Sequence, residues 1–396
     1  MLGAVLAIVA VLPLAAAATI TGDFSQMVYK PSRLAVYRTL RFRSLVIGAG
    51  VVLWLAALVI HLAVDETSVV LLVVTGVLVG LFTLLGFGMS PYVMFPSVRE
   101  PSWAEPTDER LELGDDEPVI GVVVNDDARA FPVDDSFRPH LIEATIGGEP
   151  VVMSYCLLSN LGVAFKPELD GVPMRCIMPI QWENNMVIWD ASGGRLVQQI
   201  EGTVLHGPGS GRTLQTYQTQ IMPWSAWHAQ HPDTKVFFNP PRGIWDRFVR
   251  SFIGKKFLEE NRKREAPMFP TIERFDDRLP NKTEVIGVAQ NDDIRAFPVE
   301  SICDSGVVND VAGTIPIAIA CDDGGAVSVF ARELDGETVE LQWGPEGDLR
   351  DGSGRSWDGT GRARTEGAPD LEPFPHHSRV LWFVWANFHP ETEVVA

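Results

Sequence analysis

The sequence predicts a β-rich α+β soluble region built from two homologous tandem modules, each with hairpins and a short closing helix, preceded by three transmembrane helices. Residues 119–133 read VIGVVVNDDARAFPV and residues 285–299 read VIGVAQNDDIRAFPV, a constant offset of 166 with 12 of 15 positions identical. Each block is followed by short β-branched and aromatic runs punctuated by Gly, Asn and Asp, which is hairpin chemistry. Residues 1–95, by contrast, hold the long apolar runs and few charges.

Three uncharged stretches, near 1–20, 44–64 and 67–88, are long enough to cross a bilayer, where about 20 residues are needed. The last two are joined only by Asp65-Glu66, whereas residues 20–43 carry Lys30, Arg33, Arg38, Arg41 and Arg43. The positive-inside rule keeps that basic loop in the cytoplasm, so a multi-pass cell-membrane protein with a cytoplasmic soluble region is expected; the alternative is extracytoplasmic. The run LAAAAT resembles a signal-peptide cleavage site, but the segment lacks a positive n-region, so a retained first helix is expected. His61, near the end of the second span, is expected to snorkel to the interface.

Pro91, Pro96, Pro101 and Pro106 mark a connector over 96–110, leading into a first β-rich module at 111–240. Asn125-Asp126-Asp127, Gly147-Gly148, Asp170-Gly171 and Ser192-Gly193-Gly194 are its turn signals. The second module, 284–396, repeats the punctuation with Gly313 and Asp335-Gly336. Both close alike: WSAWHAQHPDTKV at 224–236 matches WFVWANFHPETEV at 382–394. Trp at i and i+3 shares one helical face and suits a short helix capping a β core, ended by His-Pro. His231 and His389 are expected to cap carbonyls there.

The inter-module segment, 241–283, contains GIWDRFVRSFIGKKFLEENRKR at 243–264, whose apolar residues follow one helical face beside many Arg and Lys. A basic amphipathic helix suits anionic headgroups, with Trp245, Phe248, Arg250, Phe252, Lys255 and Lys256 at the membrane surface. Packing of this face between the modules is the competing expectation.

The chain carries a net charge of −19; residues 1–95 hold five basic and three acidic residues, so residues 96–396 carry −21. So acidic a region repels phosphate backbones, and nucleic-acid binding is not expected. Cys156, Cys176, Cys303 and Cys321 are too few and scattered for a disulfide framework and are read as buried thiols. The sequence does not identify a cofactor, and it shows no metal ligand set.

Residues from about 110 to 395 resemble the bacterial and archaeal family termed domain of unknown function 3179. The resemblance rests on EPVIGVVVNDDARAFPV, TIGGEPVVMSYC, NNMVIWDASGG, RFDDRLPNKTEVIGV, GVVND and WFVWANFHPETEV. It implies a His-Glu-Ile-Val-Asn-Asp-like run and a Tyr-Cys-Pro-Leu-Cys segment suited to a metal or thiol site. This chain departs at those positions. Cys156 stands at the first cysteine but Ser159 at the second; Pro139 stands at the histidine, with His140 next to it; Glu143-Ala144 replaces the Asn-Asp that the second module keeps as Asn309-Asp310.

A membrane-anchored, non-catalytic module that binds a ligand or partner in a cleft between the copies is the leading expectation. Tyr155, Ser159, Asn184, Asn185 and His206 are its candidate binding residues. The alternative is an enzyme using Cys156 as nucleophile or ligand, with His140, Glu143 or His206 as base or further ligand. A third reading is a subunit of a larger membrane complex. Partner and oligomeric state are not legible beyond the lipid bilayer itself.

Overall fold

The computed structural model describes residues 1–22, 26–64, 67–88, 96–250 and 255–395. They form two compact units, one comprising Met1–Ser97, Pro167–Leu214 and Phe269–Thr271, the other Val98–Lys166, Gln215–Met268 and Ile272–Ala396.

In the first unit, α1 (Leu2–Ile20), α2 (Arg33–Val64) and α3 (Val69–Gly88) are each long and apolar enough to cross a membrane. Small residues let them approach closely, as helices in lipid require. A Cβ on Gly50 would come 2.7 Å from Leu14, and one on Gly76 would come 2.5 Å from the Trp54 ring. Trp54 Nε1 donates to the Thr75 hydroxyl at 3.2 Å. The Asp65-Glu66 connection and Pro91 lie outside the described residues.

Helix α2 starts at Arg33, well before the expected Ser44. Its extra turns have a partner: Val36, Tyr37 and Leu40 pack against Ile177, Ile180, Trp182 and Trp189. These belong to an antiparallel sheet of Cys176–Trp182, Asn185–Asp190, Arg195–Gln198 and Val204–His206. Glu183, 2% exposed, is bonded by Lys30 and lies 3.8 Å from Arg33, and both cations sit over the Trp182 ring, at 4.5 and 4.2 Å. A buried carboxylate is tolerated only with such partners. Residues 167–214, expected within the first module, thus fold with the helices.

In the second unit, one sheet runs in the order Thr219–Pro223, Pro118–Val124, Asp127–Pro132, Lys235–Phe238, Ser102–Ala104. Another runs His377–Leu381, Glu284–Gln290, Asp293–Pro298, Glu393–Val394. The central hairpins turn at Asn125 and Asp126 (φ 48° and 62°) and at Asn291 (φ 55°), left-handed positions that Asn and Asp tolerate. The third residue of each Asn-Asp-Asp has a tertiary role. Asp127 accepts the Gly147 N–H at 2.9 Å and holds Arg129 at 2.8 Å; Asp293 accepts the Gly313 N–H at 2.6 Å and holds Arg295 at 3.1 Å.

The closing helices are Trp224–Gln230 and Trp382–Phe388. Trp227 lies over Gly121 and Trp385 over Gly287, and their Nε1 groups donate to Thr234 at 3.0 Å and Thr392 at 2.9 Å. The histidines that end the helices cap carbonyls as expected, but through the backbone: the His231 N–H donates to the Trp227 carbonyl and the His389 N–H to the Trp385 carbonyl, both at 2.8 Å, which leaves the rings to pack elsewhere. Each ring packs on its own Trp, His231 on Trp227 and His389 on Trp385, both 4.1 Å between centroids.

A further sheet contains Leu141–Ile146, Glu149–Cys156 and Leu161–Phe165, edged by Val98–Arg99 and Thr216–Tyr217. The Pro-rich connector therefore supplies strands to two sheets through Val98–Arg99 and Ser102–Ala104. Between the halves, the expected single helix is represented by Gly243–Phe248 and Lys255–Lys263; residues 251–254, with Phe252, lie outside the described residues.

The cysteines correct one expectation. Cys303 and Cys321 form a disulfide, while Cys156 and Cys176 are buried thiols. Cys303 lies on the helix Val299–Ser305 and Cys321 ends the strand Ile315–Cys321 on which that helix packs, so the fold joins thiols that are 18 residues apart.

The Trp-over-Gly contact is testable. At Gly121 a Cβ would stand 2.0 Å from the Trp227 ring, whereas at Gly352 it would meet nothing within 4 Å. Gly121→Ala is expected to cost about 2 kcal/mol or more, in the range of core overpacking, with Gly352→Ala near neutral. Urea unfolding of the full chain, followed by tryptophan fluorescence, reads both; equal midpoints would contradict the contact.

Candidate functional site

Within the second unit, a cavity of about 460 Å³ opens where the two hairpin sheets meet. Its wall is formed by the turn after the strand Glu149–Cys156, by the start of the second repeat and by the strand His377–Leu381. Main-chain bonding sets the spacing, since Leu381 N–H donates to the Ser159 carbonyl at 2.9 Å. Asn160, held at φ 50°, accepts from the Tyr155 hydroxyl at 3.0 Å. Its amide donates to the Arg379 carbonyl at 3.0 Å and to Glu284 at 3.3 Å. Arg379 in turn donates to Glu284 (2.7 Å) and to the Ile221 (3.0 Å) and Gly325 (2.5 Å) carbonyls. That guanidinium is fully engaged and its charge is answered.

Lys282 is different. Its ammonium donates to Asn261 Oδ1 at 3.2 Å and lies 5.2 Å from the Phe383 ring. Among the described residues no carboxylate forms an ion pair with it. Asn261 is fixed by donating to the Leu157 carbonyl at 3.2 Å, so its oxygen faces the ammonium. Burial pushes the Lys282 ammonium down to about 8. Burial also raises the Tyr155 phenol, so it stays a neutral donor. Arg262 reaches the cavity from the helix Lys255–Lys263 and meets Asp134 at 3.2 Å.

Sequence reasoning missed Lys282, Asn261, Arg262, Asn160, Glu284 and Arg379. A signal was present. At the repeat offset of 166, Lys282 and Glu284 align with Asp116 and Pro118. At the offset of the closing segments, 158, Arg379 and Leu381 align with Ile221 and Pro223. All eight line the cavity. It therefore lies where equivalent positions face each other, and its charges stand where the two halves differ.

Of the sequence candidates, only Tyr155 lines this cavity. Cys156 is fully buried at the strand end, paired with Leu161. It is near enough to Lys282 for their charges to interact. His140, 2% exposed, places Nδ1 2.9 Å from the Tyr155 carbonyl, and burial pushes it down to about 4. Glu143 pairs with Arg99 at 3.3 Å across a parallel strand pair. Ser159 is buried, its hydroxyl 3.4 Å from the Cys156 carbonyl.

Asn184, Asn185 and His206 belong to the first unit. Asn184 sits at φ 57° in the turn Glu183-Asn184 and makes a two-way amide contact with the Phe269 backbone at 2.8 and 2.9 Å. Asn185 bonds Gln199 at 3.0 Å and accepts from Gln198 at 2.7 Å. His206 lies 5.5 Å from the Tyr37 ring, and burial lowers its pKa.

Among the proposed membrane-surface residues, Phe248 is exposed, as is its neighbour Ile244. Arg250 donates to the Asn239 carbonyl at 2.7 Å and meets Asp246 at 3.2 Å. Trp245 lies in the helix Gly243–Phe248, and Lys255 and Lys256 open the next helix. Among the described residues no group of three or more His, Cys, Asp or Glu is placed to hold a metal ion.

Fold and cavity together describe a β-rich protein with three candidate membrane helices and a cavity of mixed polar and apolar lining in its larger unit. The chain belongs to the family described as Protein of unknown function (DUF3179), whose model matches residues 93–392. No curated protein and no solved structure matches the chain.

The buried histidines predict acid sensitivity. Burial holds His140, His231, His376 and His389 near 4 and His377 near 3. A histidine depressed in the fold binds its proton more readily when unfolded. Stability is therefore full above the unfolded value of about 6.5 and falls as pH drops toward 4. Asp135, raised by burial to about 6, acts in the opposite sense but stands alone against five. Urea midpoints measured from pH 7.5 to 4.5 should be flat above 7 and fall below 6.5, with a smaller slope for His140→Gln; a midpoint insensitive to pH would exclude this reading.

Proposed function

We propose that this protein is a membrane-anchored, non-catalytic binding module whose site is the 460 Å³ cavity, and that the halves flanking the cavity are copies of one module. The observation that carries the reading is the convergence of equivalent positions of the two repeats on one concave, mixed polar and apolar volume. Its size falls in the range that accepts small molecules, roughly 300–1,000 Å³. A duplicated fold makes such a pocket at its own interface without any new element. The thiol-enzyme alternative has less support. Cys156 does not line the cavity, and the His140 ring is committed to a backbone carbonyl.

The test uses the full chain in lipid nanodiscs, with methyl NMR signals of Met222 and Ile221 reporting on the cavity and Ile302, a core residue of the same unit that does not line it, as the reference. Small aromatic probes such as benzamide should shift the first two saturably and leave the third. Val133→Trp, which fills the cavity, should abolish the shifts. Probes that move all three alike, or none, would remove the reading.

We further propose that the soluble region lies on the membrane side that carries residues 26–43, because the sheet at 176–206 packs on that end of α2. Five Lys or Arg, Lys30 before α2 and Arg33, Arg38, Arg41 and Arg43 in its first turns, make that side cytoplasmic by the positive-inside rule. A specific observation favours the extracytoplasmic alternative: a disulfide such as Cys303–Cys321 persists in oxidising compartments and is rare in the cytosol. The exposed Ile244 and Phe248, with the basic residues that follow, are proposed to lie at the headgroups of the same side. Whole cells quenched with acid and alkylated with a maleimide-polyethylene glycol after denaturation separate the two. Four modified thiols place the region in the cytoplasm; two place it outside.

A further inference from the structure

The charge of the cavity differs from that of the molecule. In a chain of net charge −19, its lining carries three cations, Arg262, Lys282 and Arg379, against two carboxylates, Asp116 and Glu284. Arg379 and Glu284 neutralise each other at 2.7 Å, and Arg262 is answered by Asp134 at 3.2 Å. That leaves Lys282, half-buried, bonded to a neutral amide oxygen. A larger cavity of about 570 Å³ in the same unit shows the contrast, since it is lined by Glu112, Glu117, Asp134 and Asp135 against only two guanidinium groups.

Around Lys282 the wall is apolar, with Val133, Leu157, Ile221, Met222 and Leu381. An ammonium with spare N–H donors next to an apolar wall is complementary to a ligand with one anionic end and an apolar body. We infer that the cavity takes a small organic monoanion of the carboxylate class, its anionic group on Lys282 and its apolar part against Leu157 and Met222. The inference rests on the cavity being a binding site and specifies what the site selects. The depressed Lys282 ammonium agrees with the geometry: burial outweighs the through-space pull of the Glu265 carboxylate, which Arg264 opposes, and a bound anion adds the counter-charge that is lacking in direct contact.

The experiment compares benzoate with its neutral isostere benzamide, and with inorganic phosphate, on the full chain in nanodiscs of zwitterionic lipid. Binding is read from the Met222 and Ile221 methyl signals. Benzoate is expected to bind wild type roughly tenfold tighter than benzamide, the discrimination worth one charge-assisted hydrogen bond. Lys282→Met should level the two probes, and Lys282→Arg should keep the preference. At pH 8, benzoate binding should also take up protons, seen as a heat that varies with buffer ionisation enthalpy.

Equal affinity of benzoate and benzamide for wild type overturns the inference while leaving the cavity as a site. An unchanged preference in Lys282→Met also overturns it. If phosphate binds as tightly as benzoate, the apolar wall does not contribute and the organic part of the inference falls. If no probe moves the methyl signals, the site reading fails as well.

Discussion

The larger unit depends on how one guanidinium is spent. Arg379 sits at φ 51°, a conformation uncommon for a residue with a Cβ, on the strand that faces the first half. From there its planar fork reaches two main-chain carbonyls, those of Ile221 and Gly325, and the Glu284 carboxylate. A lysine could not do this, having a point charge rather than divergent coplanar donors. The same strand supplies the Leu381 N–H to Ser159 and the Arg379 carbonyl to Asn160, so backbone and side chain tie the halves at one place. The cavity is the space left beside that tie; with Glu284 engaged there, Lys282 makes no ion pair among the described residues and feels the Glu265 carboxylate only through space.

The near-symmetry of the two halves makes the difference interpretable. Where the repeats agree, their shared residues explain the scaffold. The Asp of each hairpin holds the next turn, each Gly admits a Trp, and each Thr receives that Trp's N–H. Where they disagree, at 116 and 282, 118 and 284, 221 and 379, the residues face a common volume. The residues shared at the repeat offsets thus account for scaffold contacts, and residues that differ at those offsets line the cavity.

The hairpins and closing helices were legible because their determinants are local: Asn and Asp at left-handed turn positions, and Trp at i and i+3. The rest depends on pairings far apart in the chain. The early start of α2 follows from Glu183 needing Lys30 and from the sheet needing the face of Val36 and Leu40, a requirement invisible in residues 33–43 themselves. The disulfide follows from a helix lying on a strand, which a spacing of 18 does not announce. The residues that line the cavity were not legible for a related reason. Cys156 and His140 carry titratable chemistry, but residue type does not reveal that one closes a strand end and the other is sealed against a carbonyl. Lys282 looked like one more surface lysine ahead of a strand.

Departure from the family's two-cysteine pattern can be read physically. The segment from Cys156 to Asn160 is a turn whose contacts to the second half run through the Ser159 carbonyl and the Asn160 amide. The Ser159 hydroxyl lies 3.4 Å from the Cys156 carbonyl within the turn. A serine there leaves the turn's structural bonds intact, because those bonds belong to the backbone. Loss of a second thiol therefore costs the scaffold little, and the turn keeps its other use, which is to hold Asn160 against Tyr155 and the Leu157 carbonyl against Asn261. Those two contacts orient the polar groups around Lys282. Selection by charge at Lys282 needs no thiol, and every part of the turn it requires is present in this chain.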